Sequence, residues 1–291
     1  MPGSCGELVQ GTLDDVHFHI TCPVDLYATV QVKLVPGSGR VHGAQDCPKA
    51  GRAATIALSR FGSNSDAVLS VVSELPRGKG MASSTADVVA TVSGIFAAFG
   101  SDVPPNTVAD IALQVEPSDG LMYPGIALFD HRNGKARRVI GRAPPMHVLV
   151  LDFGGIIDTV AFNLTDRTAE LQRLESRWRK AAALVENGIK SGSAEMVGEG
   201  ATISSLAHQA ILPKPQLDAV MQFGRELRSV GVNVAHSGSV LGLLFDGDRD
   251  RAEFAKAKAL DRLPGLERVY LQRLVDGGAI VAGAPREITV P

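Results

Sequence analysis

The sequence predicts an α/β protein, with mixed sheets packed against helices and length enough for two modest domains. Three observations predict this. Residues 27–34 alternate as a half-buried strand, residues 76–86, PRGKGMASSTA, form a glycine-bearing loop that runs from a strand into a helix, and the pattern beyond residue 165 is predominantly helical.

A chain of 291 residues, 45% hydrophobic and 21% charged, has the apolar material for a proper core. Its 29 basic and 31 acidic residues leave a formal charge of -2, which gives no electrostatic footprint for nucleic acid or an anionic membrane. Cys5, Cys22 and Cys47 are odd in number and lack a C-x-x-C pair, so neither a disulfide framework nor a zinc ribbon is expected. A reducing cytoplasm fits this usage. No segment approaches the roughly 18 apolar residues that span a bilayer, and the sequon at 163–165 therefore carries no expectation of glycosylation.

In the first strand Ala28, Val30, Val32 and Leu34 alternate with Tyr27, Thr29, Gln31 and Lys33. Turn formers at 36–39 follow, then a helix over 50–61 and a strand over 67–75 that enters the glycine loop. Beyond the loop, Val88, Val92, Ile95, Phe96 and Phe99 recur at helical spacing and Gly100 marks the stop. A helix over 108–115 gives way to Pro117, Gly120, Pro124 and Gly125, an interruption that carries Glu116 and Asp119, before a strand over 126–129. Asn133-Gly134 marks a hairpin turn within the basic cluster Arg132, Lys135, Arg137 and Arg138, which reads as a solvated hairpin. An apolar strand over 146–153 is followed by helices over 165–185, 194–210 and 215–230, which places a domain boundary between 145 and 160. Strands over 232–235 and 240–245 flank His236-Ser237-Gly238-Ser239, and a charged helix over 249–260 and short terminal strands complete the order.

The glycine loop has the chemistry to hold phosphate. Small residues let the backbone approach a ligand, the helix starting near Ser83 presents unpaired N–H groups to an anion, and Lys79 adds positive charge. Ser84 and Asp87 stand in S-x-x-D spacing, which predicts a capping interaction at the helix start. Neither G-x-x-x-x-G-K-[ST] nor G-x-G-x-x-G is present, so the loop is neither of the two common nucleotide fingerprints.

The loop resembles that of the GHMP small-molecule kinases, P-x-x-x-G-[LM]-[GSA]-S-S-[AT]-A, through Pro76, Gly80, Met81, Ala82, Ser83, Ser84, Thr85 and Ala86, with Ala82 where glycine is usual. Two more motifs stand in the family's order. Residues 2–11, PGSCGELVQG, are similar to its N-terminal substrate motif, and residues 231–242, GVNVAHSGSVLG, look like its late glycine-containing motif, with His236-Ser237-Gly238-Ser239 in place of the glycine-rich run. The resemblance implies a two-domain GHMP kinase fold divided into residues 1–150 and 151–291. It implies that the first strand precedes or overlaps the first motif and that a few natural residues precede Met1.

For chemistry the resemblance implies ATP and Mg²⁺. Pro76, Arg77, Gly78, Lys79, Gly80, Met81, Ala82, Ser83, Ser84, Thr85 and Ala86, with Ser237 and Gly238, are expected to bind ATP, and Lys79 to act in the transfer. Glu116 with Ser84 is expected to hold magnesium and Asp119 to act as the base, though the two acids could exchange roles. Cys5, Gly6, Glu7, Asp25 and His236 are the expected acceptor-site residues, with Glu7 or Asp25 placed to pair an ammonium group. G-E-L-x-Q-G, C-P-V-D, G-K-G-M-A-S-S-T-A-D and E-P-[ST]-D-G-x-M are most similar to the branch of the family that phosphorylates L-threonine for the cobamide aminopropanol linker. Homoserine, a mevalonate-type alcohol, a sugar, and a non-catalytic nucleotide sensor stand as alternatives. The partners expected are a small-molecule acceptor and ATP, with a homodimer left open and neither nucleic acid nor membrane.

Other signals are set aside at this level. His17 and His19 share a strand face but have no third ligand in a motif and read as ordinary strand histidines, and His131, His147 and His208 have no stronger case as ligands. Trp178 reads as helix packing or an interface residue.

Overall fold

The computed structural model describes residues 1–62, 64–155 and 167–282. The sequon at 163–165, the start of the helix expected from 165 and the end of the chain lie outside them.

The chain opens with β1 (Pro2–Leu13), which turns at Asp14-Asp15 into the long antiparallel β2 (Val16–Pro36). β1 is buried along almost its whole length, which explains why it carries no period-two alternation. The strand overlaps the first motif. The second half of β2 does alternate, and pairs antiparallel with β4 (Ser65–Ser73), to which the short β3 (Val41–His42) adds in parallel. Between them lies α1 (Pro48–Ser59), started by Pro48 at its first position, where a missing N–H costs nothing.

The loop after β4 feeds α2 (Ser83–Ala98), and α3 (Pro105–Val115) leads to a single 3₁₀ turn at Gly120–Met122. β5 (Ile126–Phe129) and β6 (Arg137–Gly141) form the expected hairpin around Asn133-Gly134 and attach to β2. Two members of the basic cluster are paired in place, Arg137 with Asp110 and Arg138 with Glu186, and Asp130 holds the turn through the backbone N–H groups of Arg132, Asn133 and Lys135.

β7 (His147–Asp152) is followed by α4 (Thr168–Ser191), α5 (Ala194–His208) and α6 (Leu217–Glu226). α4 runs past its expected end at 185. Asn187-Gly188 looks like a stop, yet a Cβ on Gly188 would sit 2.8 Å from Val197 N, so the glycine serves close packing of α4 on α5. α6 is shorter than expected because Arg228 adopts φ 55 and turns the chain into β8 (Gly231–Val234). β9 (Leu241–Phe245), α7 (Arg249–Arg262) and β10 (Arg268–Arg273) complete the chain.

One sheet carries the order β10-β7-β9-β8-β1-β2-β4-β3, with β5 and β6 alongside β2. The register pair Glu7↔Val234 joins the early strands to the late ones. The larger apolar core lies under α1 to α5, and a second core packs α6 and α7 on β7, β8 and β9. Trp178 belongs to the first core: it is fully buried, against Gly11 of β1. Among the described residues no helix is long and apolar enough to cross a membrane, and the three cysteines are free and buried.

Candidate active site

The three sequence motifs meet at the glycine loop. Ser4 N–H donates to Met81 O at 3.1 Å and Gly6 N–H to Gly80 O at 3.1 Å, which ties β1 to the loop. From the other side Ser239 N–H and Val240 N–H both donate to Lys79 O, at 3.0 and 3.2 Å. The approach is so close that only glycine fits. A Cβ on Gly80, whose φ is +83, would lie 2.4 Å from Ala235 Cβ and 2.9 Å from Gly238 Cα, and one on Gly238 would lie 2.2 Å from Lys79 O. Lys214, buried beneath, donates to Gly238 O and anchors the late turn that also carries Ser237; burial lowers its pKa to about 8.

Pro76, Arg77 and Gly78 form the approach to this junction. Arg77 turns away from it toward Cys47 Sγ, Asp46 O and Asp87. Lys79 Nζ donates to Asp152 Oδ1 at 3.0 Å, at the end of β7, so the loop's ammonium group is aimed by a residue from the other half of the chain.

The helix start departs from the expected capping box. Ser84 Oγ donates to Glu116 Oε1, while Asp87 pairs with Arg77 at 3.5 Å. Charged partners draw both side chains off the backbone, and no side chain caps α2. Its first N–H groups thus stay open toward the loop. The N-cap residue Ala82 adopts φ 54, ψ 27, the left-handed region that glycine occupies more easily. Replacing it by glycine, Ala82→Gly, is expected to stabilise the protein by about 1 kcal/mol, read as a rise in thermal midpoint; an unchanged or lower midpoint would show that Ala82 is not strained.

The acidic segment after α3 lies across the start of α2. Asp119 N–H donates to Thr85 Oγ1 at 3.3 Å, and Ser118 N–H to His131 O at 3.0 Å. Glu116 thereby faces Ser84, and its second oxygen accepts from Lys49 Nζ. Two hard oxygen donors meet at the first turn of the helix that follows the loop. Asp119 points the other way, toward β1 and β2, where Oδ1 lies 3.1 Å from His19 Nδ1. The same nitrogen is 3.6 Å from Glu7 Oε1. Burial raises the pKa of Glu7 to about 8, against the pull of His19.

The expected acceptor residues divide. Glu7 is buried beside Asp119, and His236 stands next to them, its Nδ1 2.8 Å from Gln10 Oε1 and its ring centroid 4.5 Å from that of His19. Gly6, at φ +51, lets β1 pass against Ala235. Asp25 is a correction: both oxygens are engaged by Arg273, at 2.7 Å from its backbone N–H and 2.8 Å from Nε, so it fastens β2 to β10 and offers no carboxylate to an ammonium group. Cys5 is a second correction, a core residue of β1 whose carbonyl accepts from Asn233 and whose thiol burial pushes up to about 12.

Three of the histidines set aside, His19, His131 and His208, are a third. His19 and His131 stack with centroids 3.8 Å apart, and His236 and His208 extend the group. Local spacing could not reveal it, since its members come from four separate stretches of chain. Asp152, Lys49 and Lys214 were also missed. The one available signal was Asp152, a charge ending an apolar strand just before Gly154-Gly155.

Comparison with known proteins agrees with this geometry. Residues 49–127 match the profile of the GHMP kinases N terminal domain. The L-threonine kinase of Salmonella typhimurium is 32% identical over 95% of this chain and 93% of its own, and that of Citrobacter freundii is 32% identical over 95% and 96%. The chain belongs to the GHMP kinases. It is therefore an ATP-dependent alcohol kinase. The fold agrees as well: a homoserine kinase structure from Cytophaga hutchinsonii superposes on this GHMP kinase with a TM-score of 0.75, at 16% identity, over 95% of this chain and 94% of that one.

Proposed function

We propose that this GHMP kinase transfers the γ-phosphoryl group of ATP to the hydroxyl of L-threonine, giving L-threonine O-3-phosphate, in the cytoplasm and for the cobamide linker. The observation that carries the reading is the likeness to two L-threonine kinases over nearly the whole chain. The site supports it: Glu7 and Asp119 present two carboxyl groups beside the glycine loop, a setting for an acceptor that has both an ammonium group and a hydroxyl.

ATP would lie along the loop with its phosphates at the open start of α2, Gly78 and Gly80 allowing close approach and Lys79 neutralising charge on the transferred group. Ser84 and Glu116 suit Mg²⁺, which takes one or two protein oxygens together with phosphate oxygens and, when bound, offsets charge developing on the phosphates. Lys49, now on Glu116, would yield that oxygen. The acceptor oxygen then attacks the γ-phosphorus, the bond to the bridging oxygen of ADP breaks, and the hydroxyl proton passes to Asp119. The division into residues 1–150 and 151–291 belongs to the same reading; the larger core crosses it, taking in α4 and α5.

Two measurements bear on it directly. Release of ADP with L-threonine, L-serine, L-homoserine, 1-amino-2-propanol and mevalonate should be fastest with L-threonine. Preference for another acceptor would overturn the assignment, and no acceptor-dependent release would favour a nucleotide sensor. In the second, Glu116→Gln should shift the magnesium dependence of turnover upward by about tenfold or more, the loss expected for a weakened metal site; an unchanged dependence would remove Glu116 from the metal.

A further inference from the structure

Behind Asp119 lies a buried group that the transfer step leaves unexplained. His19, on β2, is at its centre, with Nδ1 3.1 Å from Asp119 Oδ1 and 3.6 Å from Glu7 Oε1. Its ring cannot turn freely, being stacked on His131 at 3.8 Å and 13° and closed on another side by His236 at 4.5 Å. The charged and titratable neighbours are Glu7 from β1, Asp119 from the acidic segment, His131 and Arg132 from the β5–β6 turn and His236 from the late turn. Burial opposes a charge on His19, but Glu7 and Asp119 outweigh it and its pKa rises; His131 and His236 are driven well below the usual range, by burial first and then by the charge on His19.

The result is one imidazole ring held between two carboxyl groups, with Nδ1 within reach of both. A metal ion shared by the stacked His19 and His131 is disfavoured, because nearly parallel rings send their in-plane lone pairs side by side and not to one point. A hydrogen bond uses the arrangement as it stands. Asp119 Oδ1 is engaged by His19, the carboxyl group also interacts with that of Glu7, and the side chain is 19% exposed.

We infer that His19 is a positioning residue for phosphoryl transfer: its Nδ1–H, seated between Asp119 and Glu7, locks the Asp119 carboxylate so that Oδ2 faces the acceptor hydroxyl. The inference rests on the reading of Asp119 as proton acceptor. During transfer the hydroxyl proton goes to Oδ2, the alcohol oxygen bonds to the γ-phosphorus and ADP departs, while His19 keeps its own proton throughout. Losing the lock leaves the carboxylate in place but free to rotate, and a misplacement of about 1 Å can cost about 10²-fold in rate.

Two polar variants of similar size separate positioning from folding. The amide N–H of asparagine in His19→Asn takes the place of Nδ1–H, whereas that of glutamine in His19→Gln reaches the place of Nε2. His19→Gln is expected to lower kcat about 10²-fold with the KM for ATP unchanged, and His19→Asn to stay within about tenfold of the native enzyme. Equal losses in both variants, or a rise in the KM for ATP that accounts for the loss, would overturn the inference. A double-mutant cycle closes the case: in an Asp119→Asn background His19→Gln should cost less than about threefold, since coupled residues are not additive. A full loss in that background would show that His19 does not act through Asp119. If Asp119→Asn alone leaves kcat intact, the base reading itself fails, an outcome distinct from failure of the His19 lock.

Discussion

Asp119→Asn is expected to lower kcat by about 10²–10⁴-fold, the range for loss of a positioned general base, with little change in the KM for ATP. Several features make this a clean experiment. The side chain is only partly buried, its backbone N–H is held by Thr85 independently of the carboxylate, and asparagine keeps an oxygen that accepts from His19. Folding should therefore survive while the proton-accepting atom is lost. The companion change Glu7→Gln should act differently, raising the KM for L-threonine more than it lowers kcat, because Glu7 is assigned to the acceptor's ammonium group and not to its hydroxyl. If Asp119→Asn retains native kcat, transfer proceeds without a carboxylate base; if Glu7→Gln leaves the KM for L-threonine untouched, the ammonium group is bound elsewhere.

The second large effect is expected from Gly238→Val. A Cβ there would lie 2.2 Å from Lys79 O and 2.3 Å from Gly80 Cα, and both obstacles are backbone atoms that no rotamer change can remove. The late turn must then retreat from the glycine loop, and the two N–H bonds from Ser239 and Val240 to Lys79 O are lost. Overpacking of this kind costs about 1–3 kcal/mol, and because the strain is released by opening the phosphate site, it should appear as a KM for ATP raised by up to roughly 10²-fold. Normal ATP affinity in Gly238→Val would mean that the late turn does not shape the nucleotide site. Lowered thermal stability with unchanged ATP affinity would place its role in folding alone.

The parts of this fold legible in the sequence are those whose signals are local. The strand over 67–75, the helix after Ser83, the Asn133-Gly134 hairpin and the strand pair around 236–239 each carry their own periodicity or turn chemistry, and each stands in the structure within a few residues. β1 was less legible because a strand buried on both faces loses its alternation, and only the motif it contains marked the place. Helix ends at 185 and 230 were misplaced where a contact decided the matter: Gly188 is a packing residue against α5, and Arg228 turns early into β8.

The candidate site divides along the same line. Glu116, Asp119 and Ser84 lie in motifs, so roles could be proposed for them before their partners were known. The partners were not, because His19, His131, Asp152, Lys49 and Lys214 reach the site from distant stretches, and a side chain's partner at long sequence separation leaves no trace in spacing. Asp25 shows the converse. Its position beside the first motif suggested an ammonium partner, but Arg273, far along the chain, claims both its oxygens.

The central claim, transfer of phosphate from ATP to the side-chain hydroxyl of L-threonine, is tested most directly by the phosphorus NMR spectrum of the product. Incubation with ATP, Mg²⁺ and L-threonine should yield, besides ADP, one phosphomonoester resonance that proton coupling splits into a doublet, because the β-carbon of threonine bears a single hydrogen. An uncoupled singlet would place the phosphate on the carboxyl group, and ADP with only inorganic phosphate would mean that no acceptor is phosphorylated; either would contradict the account.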